Sequence, residues 1–210
     1  GVDVTKLKAE FLQHYYDLNG TPLSALLIGF LPKLNKIAAS IAEISNFALK
    51  NKIISKIIKS ILHFDERRDF PLYSTTTLEN WINKKKLTPE EHIKTIYLFA
   101  DEFINYNDTN IGIKTVLLLT KLGYKVIIPK LEESGRTYLS KGLVKHAKKI
   151  ATRNIKRLSK LITDEIPLVG IEPSAILTFR DEYPELVSND LKDKANFIAK
   201  NTFLIDEFLA

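Results

Sequence analysis

Three short apolar runs, each released into a polar loop and then a helical stretch, most constrain what this chain can fold into. They are residues 95–99, residues 126–128 within Lys125-Val126-Ile127-Ile128-Pro129, and Ile166-Pro167-Leu168-Val169-Gly170-Ile171. Each reads as a buried strand. Strand, helix, strand, helix, strand, helix implies parallel pairing through crossovers. The expected class is α/β: an all-helical segment over residues 1–88, then a small parallel-sheet domain over 89–210 with helices on both faces. In such an open sheet, ligands sit in the loops at the carboxyl ends of the strands, where helix N-termini present free N–H groups.

The helical segment is punctuated. Asp3 can cap a helix with Leu7, Phe11 and His14 or Tyr15 on one face, and Asn19-Gly20 stops it. Thr21-Pro22 starts a second helix, which Pro32 breaks or restarts. Ile53, Ile54, Ile57, Ile58 and Leu62 stripe a further helix. Residues 63–77 read as a surface loop, 77–86 as a short helix carrying Trp81, and 84–91 as a linker. Further on, helices are expected over 110–122, stopping at Gly123, over 140–163, near 175–183 and over 192–209.

Composition sets the outer bounds. At 210 residues and 45% hydrophobic, the chain can build a core for one large or two small domains. It has no cysteine, which excludes disulfides and thiolate metal sites. The net charge of +6 gathers on two helices, with Lys145, Lys148, Lys149, Arg153, Lys156, Arg157 and Lys160 on one and Lys50, Lys52, Lys56 and Lys59 on the other. No nucleic-acid recognition motif accompanies them, so they read as solvated helix faces and no nucleic-acid partner is expected. The longest apolar stretch, 23–31, is interrupted by Ser24 and Gly29 and is too short to span a bilayer. Asp3, Lys6 and Lys8 stand where a signal peptide would be apolar. The start at Gly1 reads as a fragment of a longer chain, cytoplasmic or peripheral to the inner membrane face.

Chemistry concentrates after the strands. Glu133-Ser134-Gly135-Arg136 offers a flexible backbone, a hydroxyl and a forked cation. Ser140 can cap the next helix, with Lys141 and Gly142 in its first turn. Glu172-Pro173-Ser174 opens another helix, which carries Arg180-Asp181-Glu182-Tyr183; Asp101 and Asn105, four apart, can face the same cleft. One reading is an anion pocket built from Arg136, Lys141 and Arg180 among helix N-termini. The preferred reading is structural, with Asp101, Glu133 and Glu172 neutralising those three cations. His14, His63, His92 and His146 show no ligand spacing, and no P-loop, GxGxxG or Ser-His-Asp order is present.

At these residues a resemblance becomes usable. Leu98-Phe99-Ala100-Asp101-Glu102-Phe103-Ile104-Asn105-Tyr106, Gly123-Tyr124-Lys125-Val126, Ser134-Gly135-Arg136, Ser140-Lys141-Gly142 and Gly170-Ile171-Glu172-Pro173-Ser174 resemble the cysteine-rich CCG domain. That domain occurs in glycolate oxidase iron–sulfur subunits, heterodisulfide reductase subunits and the C-terminal part of FAD-linked D-lactate or glycolate dehydrogenases. The opening Val2-Asp3-Val4-Thr5-Lys6-Leu7-Lys8-Ala9-Glu10-Phe11 is similar to the helix that follows their second ferredoxin-type motif. The resemblance implies a parent oxidoreductase with FAD and a 4Fe–4S cluster, acting on a small 2-hydroxy acid. Its upstream FAD and ferredoxin-like domains, and an electron-transfer protein, would be the partners of this segment. Where the pattern has paired cysteines, this chain has Glu133 and Ser134; where it has one after Glu-Pro-Ser, this chain has Ala175. Where other branches carry a Gly-Cys pair after the first strand, it has Asp101 and Glu102. Iron–sulfur clusters need thiolates, so neither cofactor nor metal is expected in the segment itself, which is read as non-catalytic. The alternatives are a docking or scaffold module and a basic nucleic-acid binder.

Overall fold

The computed structural model of the chain describes residues 4–85, 87 and 93–210. Asp3, His92 and much of the expected 84–91 linker lie outside the described residues. Six helices come first among them: α1 (Val4–Asn19), α2 (Leu23–Gly29), α3 (Leu31–Ser40), α4 (Ala42–Lys50), α5 (Lys52–Leu62) and α6 (Leu78–Lys85). Then follow β1 (Lys94–Phe99), α7 (Glu102–Tyr106), α8 (Thr109–Lys121), β2 (Tyr124–Ile127), α9 (Arg136–Ser140), α10 (Val144–Leu158) and β3 (Leu168–Gly170). The chain ends in α11 (Pro173–Leu177), α12 (Tyr183–Leu186), α13 (Asn189–Lys200), β4 (Thr202–Leu204) and α14 (Ile205–Leu209).

The punctuation read from the sequence acts as expected at the ends of the early helices. Gly20 follows α1 with φ 83°, Pro22 is the N-cap of α2, and Pro32 lies in the first turn of α3. Asn51 caps α5 by accepting the N–H groups of Ile53 and Ile54 at 3.0 and 3.2 Å. Helix α5 nevertheless turns its apolar stripe outward. Ile53 is 73% and Ile57 56% exposed, whereas Ser55 and Lys59 are buried. The Lys59 ammonium is satisfied inside, donating to the Glu66 carbonyl at 2.9 Å and lying over the Phe70 ring. Periodicity locates a stripe on a helix; it does not say which side the rest of the protein occupies.

Three expected helices differ from those observed. The stretch expected over 140–163 holds one shorter helix, α10, because Gly142 takes the left-handed conformation (φ 71°) and turns the chain between α9 and α10. Ser140 therefore closes α9, its hydroxyl donating to the Thr137 carbonyl at 2.9 Å, and caps nothing; the N-cap of α10 is Leu143. The helix expected over 192–209 ends at Lys200, and residues 202–204 enter the sheet as β4 before α14 begins. There the Glu207 carboxylate accepts the Leu204 N–H at 2.9 Å and starts the last helix. The helix expected near 175–183 starts earlier, at Pro173, and runs through a π-helical turn at Thr178–Glu182 into α12. Pro184 has no N–H to give to the preceding turn, which suits that wider winding.

The strands form an all-parallel sheet in the order β2-β1-β3-β4 among the described residues. Ile96, Leu98, Val126 and Val169 pack on one face with Leu78, Ile104, Val116 and Leu119. Phe99 and Leu168 pack on the other with Ala151, Ile155, Leu158, Ile176, Phe179, Tyr183 and Ile198. Helices thus cover both faces, as the sequence implies. A third cluster joins Tyr138, Leu139, Leu143, Ala147 and Ile150 to Tyr16, Leu26 and Phe30, fastening α1 and α2 to α9 and α10. Among the described residues no helix is long and apolar enough to cross a membrane.

The strand order positions the site. From β1 the chain crosses to β2 on one side, while β3 lies on the other, so the order reverses at β1. The crevice beyond the carboxyl ends of β1 and β3 is where such sheets hold ligands. Asp101 and Glu102 follow β1, and Glu172 follows β3.

Candidate functional site

Two adjacent acids follow β1. Asp101 caps α7: its Oδ1 accepts the N–H groups of Phe103 and Ile104 at 2.9 and 3.1 Å. Asp101 is 1% and Glu102 7% exposed, and Asp101 Oδ2 and Glu102 Oε2 are buried without a hydrogen-bond partner. Burial pushes the Asp101 carboxyl up to about 6; the Glu172 charge pushes the same way, against the pull of the Ile104 and Phe103 N–H groups. Burial likewise pushes Glu102 up to about 7, with the charges of Asp101, Glu133 and Glu172 adding to it. A carboxyl group poised near neutrality can hold or release a proton, which is a property shared with acid–base sites.

In front of Glu102 lies a cleft of about 710 Å3 between α3, α7 and residues 128–133. Glu102, Asn105 and Glu133 line it, with Lys33 and Lys36 of α3, Lys130 and Arg157. Asn105 is buried and its side-chain oxygen accepts the Glu79 N–H at 3.2 Å. Glu133 Oε1 accepts the Tyr138 hydroxyl at 3.0 Å and lies 4.0 Å from the Lys33 ammonium.

The wall carrying Glu133 is held by a residue that sequence reasoning passes over. Asn154, fully buried on α10, accepts the Glu132 N–H at 2.9 Å and donates to the Glu133 carbonyl at 3.1 Å and the Tyr183 hydroxyl at 2.9 Å. The Tyr183 hydroxyl in turn donates to the Ser134 carbonyl at 3.0 Å. Gly135 follows with φ 83°, and the Ser134 hydroxyl accepts the Arg136 N–H at 3.3 Å. The available signal is a lone polar side chain in the stripe of Ile150, Ala151, Ile155 and Leu158. Glu102 likewise stands outside the set of expected cleft residues, although it adjoins Asp101.

The remaining expected residues divide. Glu172 Oε1 accepts the Ser174 hydroxyl at 2.7 Å and its N–H at 3.3 Å, capping the helix that Pro173 opens. The Ser140-Lys141-Gly142 turn packs toward α1, where a Cβ on Gly142 would run into Leu12. Arg136 pairs with Glu182 at 2.8 Å, and Arg180 with Glu207 at 2.9 Å and Asp181 at 3.7 Å. The two arginines are thus neutralised, but by partners other than Asp101, Glu133 and Glu172. Arg136→Ala is therefore expected to cost about 1 kcal/mol, the loss of one partly buried ion pair, as read by thermal unfolding. A loss above about 3 kcal/mol would mean that Arg136 holds more than Glu182.

No protein-family model matches the chain, and no solved structure matches it. It is similar to the D-2-hydroxyglutarate dehydrogenase of Haemophilus influenzae, 25% identical over 203 residues that make up 91% of this chain and 20% of that protein. It is 24% identical over 179 residues to one of the subunits of the anaerobic glycerol-3-phosphate dehydrogenase of Escherichia coli, covering 84% of this chain and 45% of that relative. A shorter match, 32% over 117 residues, links 54% of the chain to 47% of the lactate utilization protein A of Bacillus subtilis. The chain thus spans about a fifth of the first relative and under half of the other two. The likeness is to parts of oxidoreductases. An iron–sulfur cluster does not fit the residues present: the chain has no cysteine, and among the described residues no three acids or histidines stand in metal-ligating geometry.

Proposed function

We propose that this chain is the C-terminal module of a flavin and iron–sulfur oxidoreductase that oxidises a small 2-hydroxy acid, and that it acts as a structural module without a redox centre of its own. The observation that carries the reading is the match over nine tenths of the chain to a dehydrogenase of D-2-hydroxyglutarate, itself a 2-hydroxy acid. D-Lactate and glycolate are the other acids to try. The donor set supports the non-catalytic half of the reading: carboxylates, an amide and the cations Lys33, Lys36, Lys130 and Arg157 line the cleft, and no thiolate is available to carry an electron. FAD and the 4Fe–4S cluster then belong to upstream domains of the parent, which would work in the cytoplasm or against the inner membrane face.

One observation suits a docking role within that parent. Leu7, Phe11, Ile44, Phe47 and Ile53 are each at least 65% exposed on α1, α4 and α5, apolar side chains that a neighbouring domain of the parent would cover. The test is to purify the full-length parent, measure bound flavin and iron, and follow dye reduction with D-2-hydroxyglutarate, D-lactate and glycolate. Flavin content with turnover of one of these acids is the expected result. A parent without flavin that reduces no dye with any of them would overturn the reading.

A further inference from the structure

We infer that the basic face of α10 and the carboxyl end of β2 form a docking groove for an acidic polypeptide, one that sets apolar side chains among its carboxylates. The inference does not depend on the oxidoreductase reading. Arg153, Lys156, Arg157 and Lys160 fall at the i, i+3, i+4 and i+7 spacing that puts them on one side of α10 and the turn that ends it. The opposite side of that helix is buried through Ile150, Ala151, Ile155 and Leu158. Lys130, just past β2, joins the four cations in lining a groove of about 850 Å3. Every ionised residue that lines it is a cation. It adjoins the cleft in front of Glu102, with which it shares Lys130 and Arg157.

The chain answers these charges only in part. Glu132 lies 3.2 Å from Arg153 and 3.9 Å from Arg157, whereas among the described residues Lys130, Lys156 and Lys160 are in no ion pair. The last turn of a helix favours a cation. Like charges four apart oppose each other, however, and the stripe holds two such pairs, Arg153 with Arg157 and Lys156 with Lys160. Carboxylates from a partner would relieve that repulsion and steer the encounter. Between the cations the floor is apolar: Tyr97, Ile127, Ile128 and Leu161 are half-buried there. Strand β2 is at the edge of the sheet, so among the described residues no further strand covers that side. An occupant must therefore bring both carboxylates and apolar groups, as a polypeptide does. A nucleic acid brings phosphates but binds best where several rings stack its bases, and Tyr97 is the one ring lining the groove among the described residues.

The test uses the whole chain and a fluorescein-labelled peptide built from the repeat Asp-Glu-Leu-Glu-Phe, followed by fluorescence anisotropy at low salt. Saturable binding is expected, about tenfold weaker or more in the triple variant Lys130→Glu, Lys156→Glu, Lys160→Glu. The triple variant Lys50→Glu, Lys52→Glu, Lys192→Glu changes the net charge equally at exposed lysines elsewhere and should bind as the unchanged chain does. The milder pair Lys156→Gln, Lys160→Gln should weaken binding by about threefold or more, and it keeps the test open if charge reversal unfolds the protein, which circular dichroism reads. A peptide with Leu and Phe replaced by Gly should bind more weakly than the original. Absence of binding, equal loss in the two triple variants, or no difference between the two peptides would overturn the proposal. So would oligothymidylate binding the groove as tightly as the peptide, which would make it a nucleic-acid site. A dimer in sedimentation that the groove variants dissociate would overturn it in favour of a second copy of the chain.

Discussion

Glu102→Gln is expected to stabilise the chain at pH 8, in metal-free buffer, by about 3 kcal/mol, roughly 2–4 °C in Tm for each kcal/mol. The Glu102 carboxyl sits at about 7 in the folded protein against an ordinary 4.5, and Asp101 at about 6 against 3.8. An acid raised in this way binds more protons folded than unfolded across the interval between the two values, so stability falls as pH rises through it. For this pair the contribution is fully present below about pH 4, declines from there, and is gone above about pH 7. Gln keeps the shape and hydrogen-bonding reach of Glu102 without a charge to bury, so the variant should lose that slope. Asp101→Asn should act in the same direction and by less, because Asn caps a helix nearly as well as Asp. The two gains will not add, since the Asp101 charge is one of the causes that raise Glu102. Chemical denaturation of both proteins from pH 5 to 8.5 checks this. Difference curves flat with pH would sink the assignment of buried, unpaired charge.

The parts of this fold legible in the sequence are those written in local pattern. Gly20, Pro22, Pro32 and Gly123 mark helix ends because their backbone preferences act on the spot. The first three strands are visible as apolar runs bounded by polar loops. Strand β4 is hidden because Leu191, Ala195 and Ile198 set a helical period that residues 202–204 continue when read by sequence alone; its pairing with β3 is decided by distant residues. The site is half legible for the same reason. Position after a strand points to Asp101, Asn105, Glu133 and Ser134. Which carboxylate an arginine meets depends on helix packing, so Arg136 to Glu182 and Arg180 to Glu207 could not be read from spacing. The outward isoleucines of α5 show the same limit from another side.

Asn154→Ala is expected to be the most damaging single substitution near the cleft, costing about 3–4 kcal/mol. The side chain is fully buried and serves four groups: the Glu132 N–H, the Glu132 and Glu133 carbonyls and the Tyr183 hydroxyl. Removing it strands the Glu132 N–H and the two carbonyls and leaves the tyrosine with only its bond to the Ser134 carbonyl. Each stranded group carries a desolvation cost of about 1–3 kcal/mol, larger than the net gain of the bond it lost. Tyr183→Phe should cost less, about 1–2 kcal/mol, because the apolar ring stays packed against Phe179 and only the hydroxyl is lost. The double variant should cost less than the sum of the two, since Asn154 and Tyr183 bond directly, giving a coupling of about 0.5–3 kcal/mol. Hydrogen exchange then separates a global effect from a local one. If Asn154 fixes the loop that carries Glu133, the amides of residues 131–135 should lose protection in Asn154→Ala well beyond those of β1. A variant within about 1 kcal/mol of the parent, with that loop still protected, would show that the wall of the cleft is held by the backbone path from β2 and not by this amide.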